Sequence, residues 1–226
     1  MTDPSAKGLL LVMIGVDAAH EDELNRWYDE EHFPERKAVP GFINGRRFTA
    51  VEGAPKYLAT YDLDSPAVLQ SEPYRKIAAR TPWTERLAVH FKPSVRNVYS
   101  EIRPPVINGA KPSGTGLLLV AIDVEANHEA ELNRWYDEEH IAERMAIPGF
   151  LRVRRFVALE GGPKYLALYD LESPEVLQSA AYRHATGAGT TALTKRMQAL
   201  FKPIVRNVYV QIRYQDGPSV ESGSPR

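Results

Sequence analysis

The apolar residues of this chain fall into a short series of textures, each of which predicts an element. Gly8–Val16 (GLLLVMIGV) is a continuous apolar run without alternation, as in a strand covered on both faces. Across Glu21–His32 the spacing changes: Leu24, Trp27, Tyr28 and Glu31 stand at i, i+3, i+4 and i+7, one face of a helix. The pair Pro40-Gly41 ends that helical region. Ile43–Val51 and Lys56–Leu63 then read as two strands joined across the turn-rich Glu52-Gly53-Ala54-Pro55. Ser65 is an N-cap candidate, and Pro66 suits a first helical position, so a second helical stretch is expected toward about Val89. Ser94–Arg103 closes the series as a last strand.

The series then occurs again. A shift of 108 positions lays residues 8–74 on 116–182 with 47 of 67 positions identical, and a shift of 110 matches Phe91–Tyr99 to Phe201–Tyr209. The second copy therefore carries two extra residues after Tyr182. Two copies are too few for a solenoid, which needs at least about three stacked units, but each has the length of a small domain. The expected division is a module at 1–103, a linker at 104–115 (PPVINGAKPSGT), a second module at 116–214 and a loose tail at 215–226. The order β-α-β-β-α-β is the ferredoxin-like unit, an α+β fold with helices on one face of an open sheet. The bare face must be buried, and a second copy can cover it. The expected architecture is thus two tandem ferredoxin-like modules packed sheet to sheet, a dimeric α/β barrel made within one chain.

Composition narrows the partners. The 226 residues are 43% hydrophobic and 25% charged, with a formal net charge of −1, an ordinary globular balance without the basic stripe of a nucleic-acid binder. The absence of cysteine excludes disulfides, thiolate metal sites and a cysteine nucleophile. The N-terminal segment has no apolar signal core, and no apolar stretch approaches a membrane span, so a cytoplasmic protein with no membrane partner is expected. Further association of the fused pair into a homodimer stays open.

The string L-N-R-W-Y-D-E-E-H, followed by P-G-F eight residues after His32 and then by an Arg-Arg-Phe strand, resembles the dimeric α/β-barrel superfamily and is most similar to its EthD-like branch. The pattern occurs twice and covers about 200 of the 226 residues. The resemblance implies a fold shared by cofactor-independent monooxygenases, muconolactone-type isomerases, polyketide cyclases, dehydratases and haem enzymes, and a shared fold does not carry a shared reaction. It also implies that the motif histidine transfers protons. Here that histidine is His32 in the first copy and His140 in the second. Imidazole suits the task because its ordinary pKa lies near about 6.5. The helix end and the adjacent Glu30, Glu31 and Glu139 are expected to favour its protonated form. The alternative is a structural histidine at a helix end.

Other candidates follow from pattern. His20 and His128 stand at the helix start, too far along it to share a metal with His32 or His140. His90 and His184 have no histidine counterpart. One arginine of each pair Arg46-Arg47 and Arg154-Arg155 must face inward. Arg46, which shares a face with Phe48, and its counterpart Arg154 are taken as substrate-binding, with an internal ion pair to Asp29, Glu31 or Asp62 as the alternative. Tyr57 and Tyr61 share a face, as do Tyr165 and Tyr169, and Asn97 and Asn207 share theirs with Tyr99 and Tyr209. Tyrosines suit either a pocket for a flat, partly polar ligand or an interface between sheets. Candidate substrate-binding residues are Trp27, Tyr28, Arg46, Tyr61, Asn97 and Tyr99 in the first copy, and Trp135, Tyr136, Arg154, Tyr169, Asn207 and Tyr209 in the second. The copies differ most where the segment around Trp83 (ARTPWTERL) becomes Gly187–Lys195 (GAGTTALTK), so two cavities of different access or shape are expected. No phosphate loop, nucleophile elbow or calcium loop is written, so neither a nucleotide nor a metal cofactor is indicated.

The expected function is a cofactor-independent enzyme of lyase or isomerase type. A histidine acts as general acid or base on a small phenolic, lactone or polyketide-like substrate. The alternatives are a cofactor-free aromatic monooxygenase and a non-catalytic barrel that binds a small ligand.

Overall fold

The computed structural model describes residues 6–102, 104–108, 114–202 and 204–216. Its strands are β1 (Gly8–Ile14), β2 (Phe42–Glu52), β3 (Tyr57–Leu63), β4 (Ser94–Glu101), β5 (Val106–Ile107), β6 (Gly116–Ile122), β7 (Phe150–Glu160), β8 (Tyr165–Leu171) and β9 (Ile204–Asp216). The α-helices are α1 (Glu21–Trp27), α2 (Phe33–Lys37), α3 (Glu72–Ala78), α4 (Pro82–Ala88), α5 (Glu129–Trp135), α6 (Ile141–Met145), α7 (Ala180–Thr186) and α8 (Ala192–Gln198). The chain divides into two compact units. One holds the described residues of 1–48, 55–100 and 212–226, the other those of 49–54 and 101–211. Residues 1–5, Arg103, 109–113 of the expected linker, Pro203 and 217–226 of the expected tail lie outside the described residues.

In the first unit β1 lies between β3 and β4, antiparallel to both, with Leu10 opposite Tyr61 and Val98. β2 follows on the far side of β3, giving the order β4-β1-β3-β2, the ferredoxin-like arrangement. Both faces of β1 are covered, as its unbroken apolar run predicts. Leu10, Tyr61, Ala59 and Val98 point into a core with Leu24, Trp27 and Phe33 from the helices. Leu9, Leu11, Leu58, Thr60 and Tyr99 point the other way and are buried as well. Each fully buried large apolar side chain contributes about 1.5–3 kcal/mol, so the strand is fixed from both sides.

The second unit repeats the plan. β6 lies between β8 and β9, with Leu118 opposite Tyr169 and Val208, and β7 pairs with β8. Within the expected linker, Val106 and Ile107 pair with Val153 and Arg152 of β7.

The helical segments depart from their expected form. The first does not stop at His32. A 3-10 turn (Ala18–His20), α1, a π turn (Tyr28–His32) and α2 follow one another without a break. The second copy repeats this, with its π turn at Tyr136–His140. Pro34 is not the cause, because Ala142 stands there in the second copy. The second helical stretch is three pieces. A 3-10 turn, Pro66–Gln70, follows Ser65, whose side chain makes no capping bond. The caps belong to Ser71, which accepts from the Tyr74 N–H at the start of α3, and Thr81, which accepts from the Thr84 N–H at the start of α4. A proline in the first turn of α3 and of α4 marks these restarts. Gly41 and Gly149, in the Pro-Gly-Phe turns, have φ of +94° and +91°, and a Cβ at either would strike Val68 or Val176 at 2.5 or 2.4 Å. These are glycine-only positions.

Candidate functional site

The π turn decides what surrounds the motif histidine. In an α-helix, residues five apart point about 140° away from each other, whereas i→i+5 bonding brings them onto one side. Trp135 and His140 are five apart, and their ring centroids lie 4.2 Å from each other. Tyr136 and His140 meet edge to face at 5.1 Å, and Tyr169, from β8, stands at 6.3 Å. The first copy reproduces this: Trp27 at 4.2 Å, Tyr28 at 5.1 Å and Tyr61 at 6.1 Å from His32. The structure thus gathers three further candidates around the imidazole in each copy.

Each tryptophan is tied from behind. Trp135 Nε1 donates to Thr194 Oγ1 at 2.9 Å, and Thr194 and Thr191 hydroxyls donate to Glu139 Oε1 at 2.8 and 2.6 Å. Burial opposes charge on Glu139, but the bonds from Thr191, Thr194 and Trp135 outweigh it and hold its carboxyl below the usual range. In the first copy Trp27 Nε1 donates both to Glu31 Oε1, at 2.9 Å, and to Thr84 Oγ1, at 3.1 Å.

The strand arginines divide differently from the expected assignment. Arg155, not Arg154, stacks on Tyr136, 3.8 Å from the ring centre, and Arg47, not Arg46, stacks on Tyr28 at 3.9 Å. Arg155 also donates to Asn133 Oδ1 at 2.9 Å and pairs with Asp137 at 3.8 Å. Arg154 faces the opposite side of the sheet with Phe156 and lies 4.0 Å from Asp170, while Arg46 stacks on Phe48. The physical reason is a β-bulge. The β7–β8 register shifts between Phe150 and Arg152, so the helix-facing set passes from Phe150 to Val153, Arg155 and Val157.

Asn97, Tyr99, Asn207 and Tyr209 are also away from the histidines. They lie on the sheet face opposite the helices and bond to each other, Asn97 to Tyr99 at 3.0 Å and Asn207 to Tyr209 at 2.8 Å. Burial pushes the Tyr209 hydroxyl up to about 12. His20 stacks on His90 at 3.6 Å, away from His32.

In the second unit the aromatic cluster opens onto a cavity of about 440 Å³ lined by Trp135, Tyr136, His140, Arg144 and Tyr169, within the range of small-molecule sites. Phe201, Tyr182 and Arg206 also line it. Three of its polar atoms are buried without a hydrogen-bond partner among the described residues: His140 Nδ1, Arg144 Nη1 and Tyr169 Oη. The Tyr136 and Tyr169 hydroxyls are near enough to influence each other but fall short of hydrogen-bonding geometry.

The protonation state is the reverse of the expected one. Burial, followed by the charges of Arg144 and Arg155, holds the His140 imidazole well below its ordinary value. Burial, then Arg36 and Arg47, do the same for His32. The carboxylate expected to favour imidazolium, Glu139, faces the threonines, and cations face the ring. Burial pushes the Tyr61 and Tyr169 hydroxyls well above their ordinary value, so both stay protonated. The site therefore presents a neutral imidazole, a phenolic donor and a guanidinium on an apolar wall.

Arg144 and Arg36, one turn after the histidines, are absent from the sequence-derived candidates, as are Arg47, Arg155, Tyr182 and Phe201. A signal was present: both copies keep Glu-Arg at the third and fourth positions after the histidine (HFPER, HIAER). Among the described residues no group of three or more metal-ligating side chains converges, and no helix is long and apolar enough to cross a membrane.

No protein-family model matches the chain, and no curated protein does. Solved structures do. An anthrone oxidase-like protein superposes with a TM-score of 0.71 at 12% identity, over 98% of this chain and 97% of its own. A chlorite dismutase mutant from Candidatus Nitrospira defluvii superposes with 0.60 at 11% identity, over 92% of each chain. A ferredoxin-fold protein from Listeria monocytogenes, related to antibiotic biosynthesis monooxygenases, gives 0.52 at 9% identity, over 93% and 97%. At these identities the likeness is one of fold, the ferredoxin-like dimeric α/β-barrel kind.

Proposed function

We propose that this chain is an EthD-like enzyme of two ferredoxin-like copies, in which His140, and His32 in its own copy, moves a proton on a small phenolic, lactone or polyketide-like substrate. The observation that carries this reading is that three side chains lining one apolar cavity, His140, Arg144 and Tyr169, each hold a buried polar atom without a hydrogen-bond partner among the described residues, because such atoms cost free energy unless something bonds to them.

The chemistry follows from charge. A neutral imidazole accepts a proton from a phenolic O–H, or from a C–H next to a carbonyl. The substrate anion left behind is stabilised by the Arg144 guanidinium and the Tyr169 O–H. Because anion and imidazolium form together, the new negative charge offsets the cations that otherwise disfavour imidazolium. Return of the proton to another atom of the substrate completes an isomerisation, a cyclisation or, with loss of water, a dehydration. These steps need proton transfer alone, in a site shielded from solvent.

A second reading is favoured by the anthrone oxidase-like neighbour. The same deprotonation of an electron-rich aromatic would be followed by attack of dioxygen on the carbanion. The experiment is turnover of a panel of phenols, lactones and anthrone, with an oxygen electrode beside it. Oxygen uptake with anthrone supports the second reading, and turnover without it supports the first. His140→Ala is expected to lower kcat about 10²–10⁴-fold. Unimpaired turnover by the His32→Ala/His140→Ala double variant would end both.

A further inference from the structure

Matched arginines in the two copies do not have matched partners. Arg36, one turn after His32, lies with Nη1 3.5 Å from Glu35 Oε2, so a carboxylate meets its charge, although its Nε is enclosed without a bond. Arg144, one turn after His140, is 5% exposed, lines the cavity and has Nη1 buried without a partner. No carboxylate lies within ion-pairing distance of Arg144 among the described residues. Glu143, the counterpart of Glu35, feels its charge only at longer range. The other cation of the wall, Arg206, is bonded to Glu52. Arg144 is stacked near Tyr182, 5.9 Å from the ring centre, which orients the guanidinium without neutralising it.

A buried guanidinium without a counter-ion is costly, and a planar fork of donors matches a carboxylate. Most of the rest of the wall is aromatic or apolar, including Leu118, Trp135, Tyr169 and Phe201, with Thr186 and Gln198 as uncharged polar members. We propose that the cavity of the second copy takes an aromatic or polycyclic substrate already carrying an acidic group, a carboxylate or an acidic enol, which sits on Arg144 with its ring system against Trp135 and Phe201, while the first copy does not share this preference. The proposal rests on the second-copy cavity being the substrate site, and it adds the class of substrate and the inequality of the copies.

The test is calorimetric titration of the full chain with 2-naphthoate and anthracene-9-carboxylate, each beside its neutral carboxamide. At least one acid is expected to bind about tenfold or more tightly than its amide, the margin of a charge-assisted bond. Arg144→Gln is expected to bring that acid down to its amide while leaving the amide within about twofold. Arg36→Gln keeps the preference. Arg144→Met replaces Arg144→Gln where the latter does not fold, and the wild-type ratio of acid to amide decides without any variant. The proposal is overturned if each acid and its amide bind alike, if neither acid binds at millimolar concentration, if both Arg144 variants keep the preference, or if Arg36→Gln removes it equally. His140→Ala separates the two claims. Retained acid preference with lost turnover supports both, and retained preference with full turnover sinks the proton-transfer reading alone.

Discussion

Trp135 lies against His140 at 4.2 Å, across five residues whose i→i+5 bonding makes that contact possible. The indole keeps water from one side of the imidazole, and burial is the first cause of the lowered histidine pKa. Trp135→Leu is therefore expected to raise the His140 pKa toward the ordinary histidine range. Trp135→Phe, which keeps a ring in place, should leave it nearly unchanged. Proton NMR titration of the histidine ring resonances measures both.

The element order, the apolar strands and the Pro-Gly turns were legible in the sequence because each leaves a periodic or compositional mark. The π turn was not. It alters hydrogen-bond register over five residues, Tyr136–His140, without changing which residue types are apolar. The facing of the arginines was lost for a related reason. One bulge before Arg152 inverts the parity of everything after it, and adjacent Arg154 and Arg155 are chemically alike, so pattern alone could not choose between them. Arg144 escaped because its role depends on a partner it lacks.

Acid should weaken the fold through the two histidines. Both have folded-state values depressed below that of the unfolded chain. Above about pH 6.5 both states are neutral and no penalty arises. As pH falls below that value the unfolded chain takes up protons first, so stability declines until the depressed folded value is passed. The limiting slope is about 1.4 kcal/mol per pH unit for each histidine. Urea midpoints between pH 7 and 5 should fall for the wild type and flatten in His32→Asn/His140→Asn. An equal decline in both proteins would assign the acid sensitivity elsewhere.

Thr194 and Thr84 stand at equivalent positions but carry unequal duties. Trp135 Nε1 makes its short bond, 2.9 Å, to Thr194, with Glu139 near enough to feel it, whereas Trp27 Nε1 makes its shorter bond, 2.9 Å, to Glu31 and a longer one, 3.1 Å, to Thr84. Thr194→Val should cost about 1–3 kcal/mol by removing the short bond of a buried N–H, and Thr84→Val, which leaves Trp27 its 2.9 Å bond to Glu31, distinctly less. Chemical denaturation of the two variants ranks them, and the reverse order would contradict the geometry.

Gly149 turns the chain from α6 into β7 with φ of +91°, and a Cβ there would meet Val176 Cγ2 at 2.4 Å. Gly149→Ala is expected to destabilise by about 1–3 kcal/mol. The double variant Gly149→Ala/Val176→Ala should recover the steric part of the loss and leave the backbone part. Thermal melts of the single and double variants separate the two.

Arg36 and Arg144 stand at matching positions of the repeated sequence but differ in what they hold. A homodimer of a single-copy polypeptide is denied that divergence, since any substitution appears in both subunits at once. Writing the two copies into one polypeptide removes the constraint, so a mutation can refit one hollow for a new guest while its sibling stays as it was.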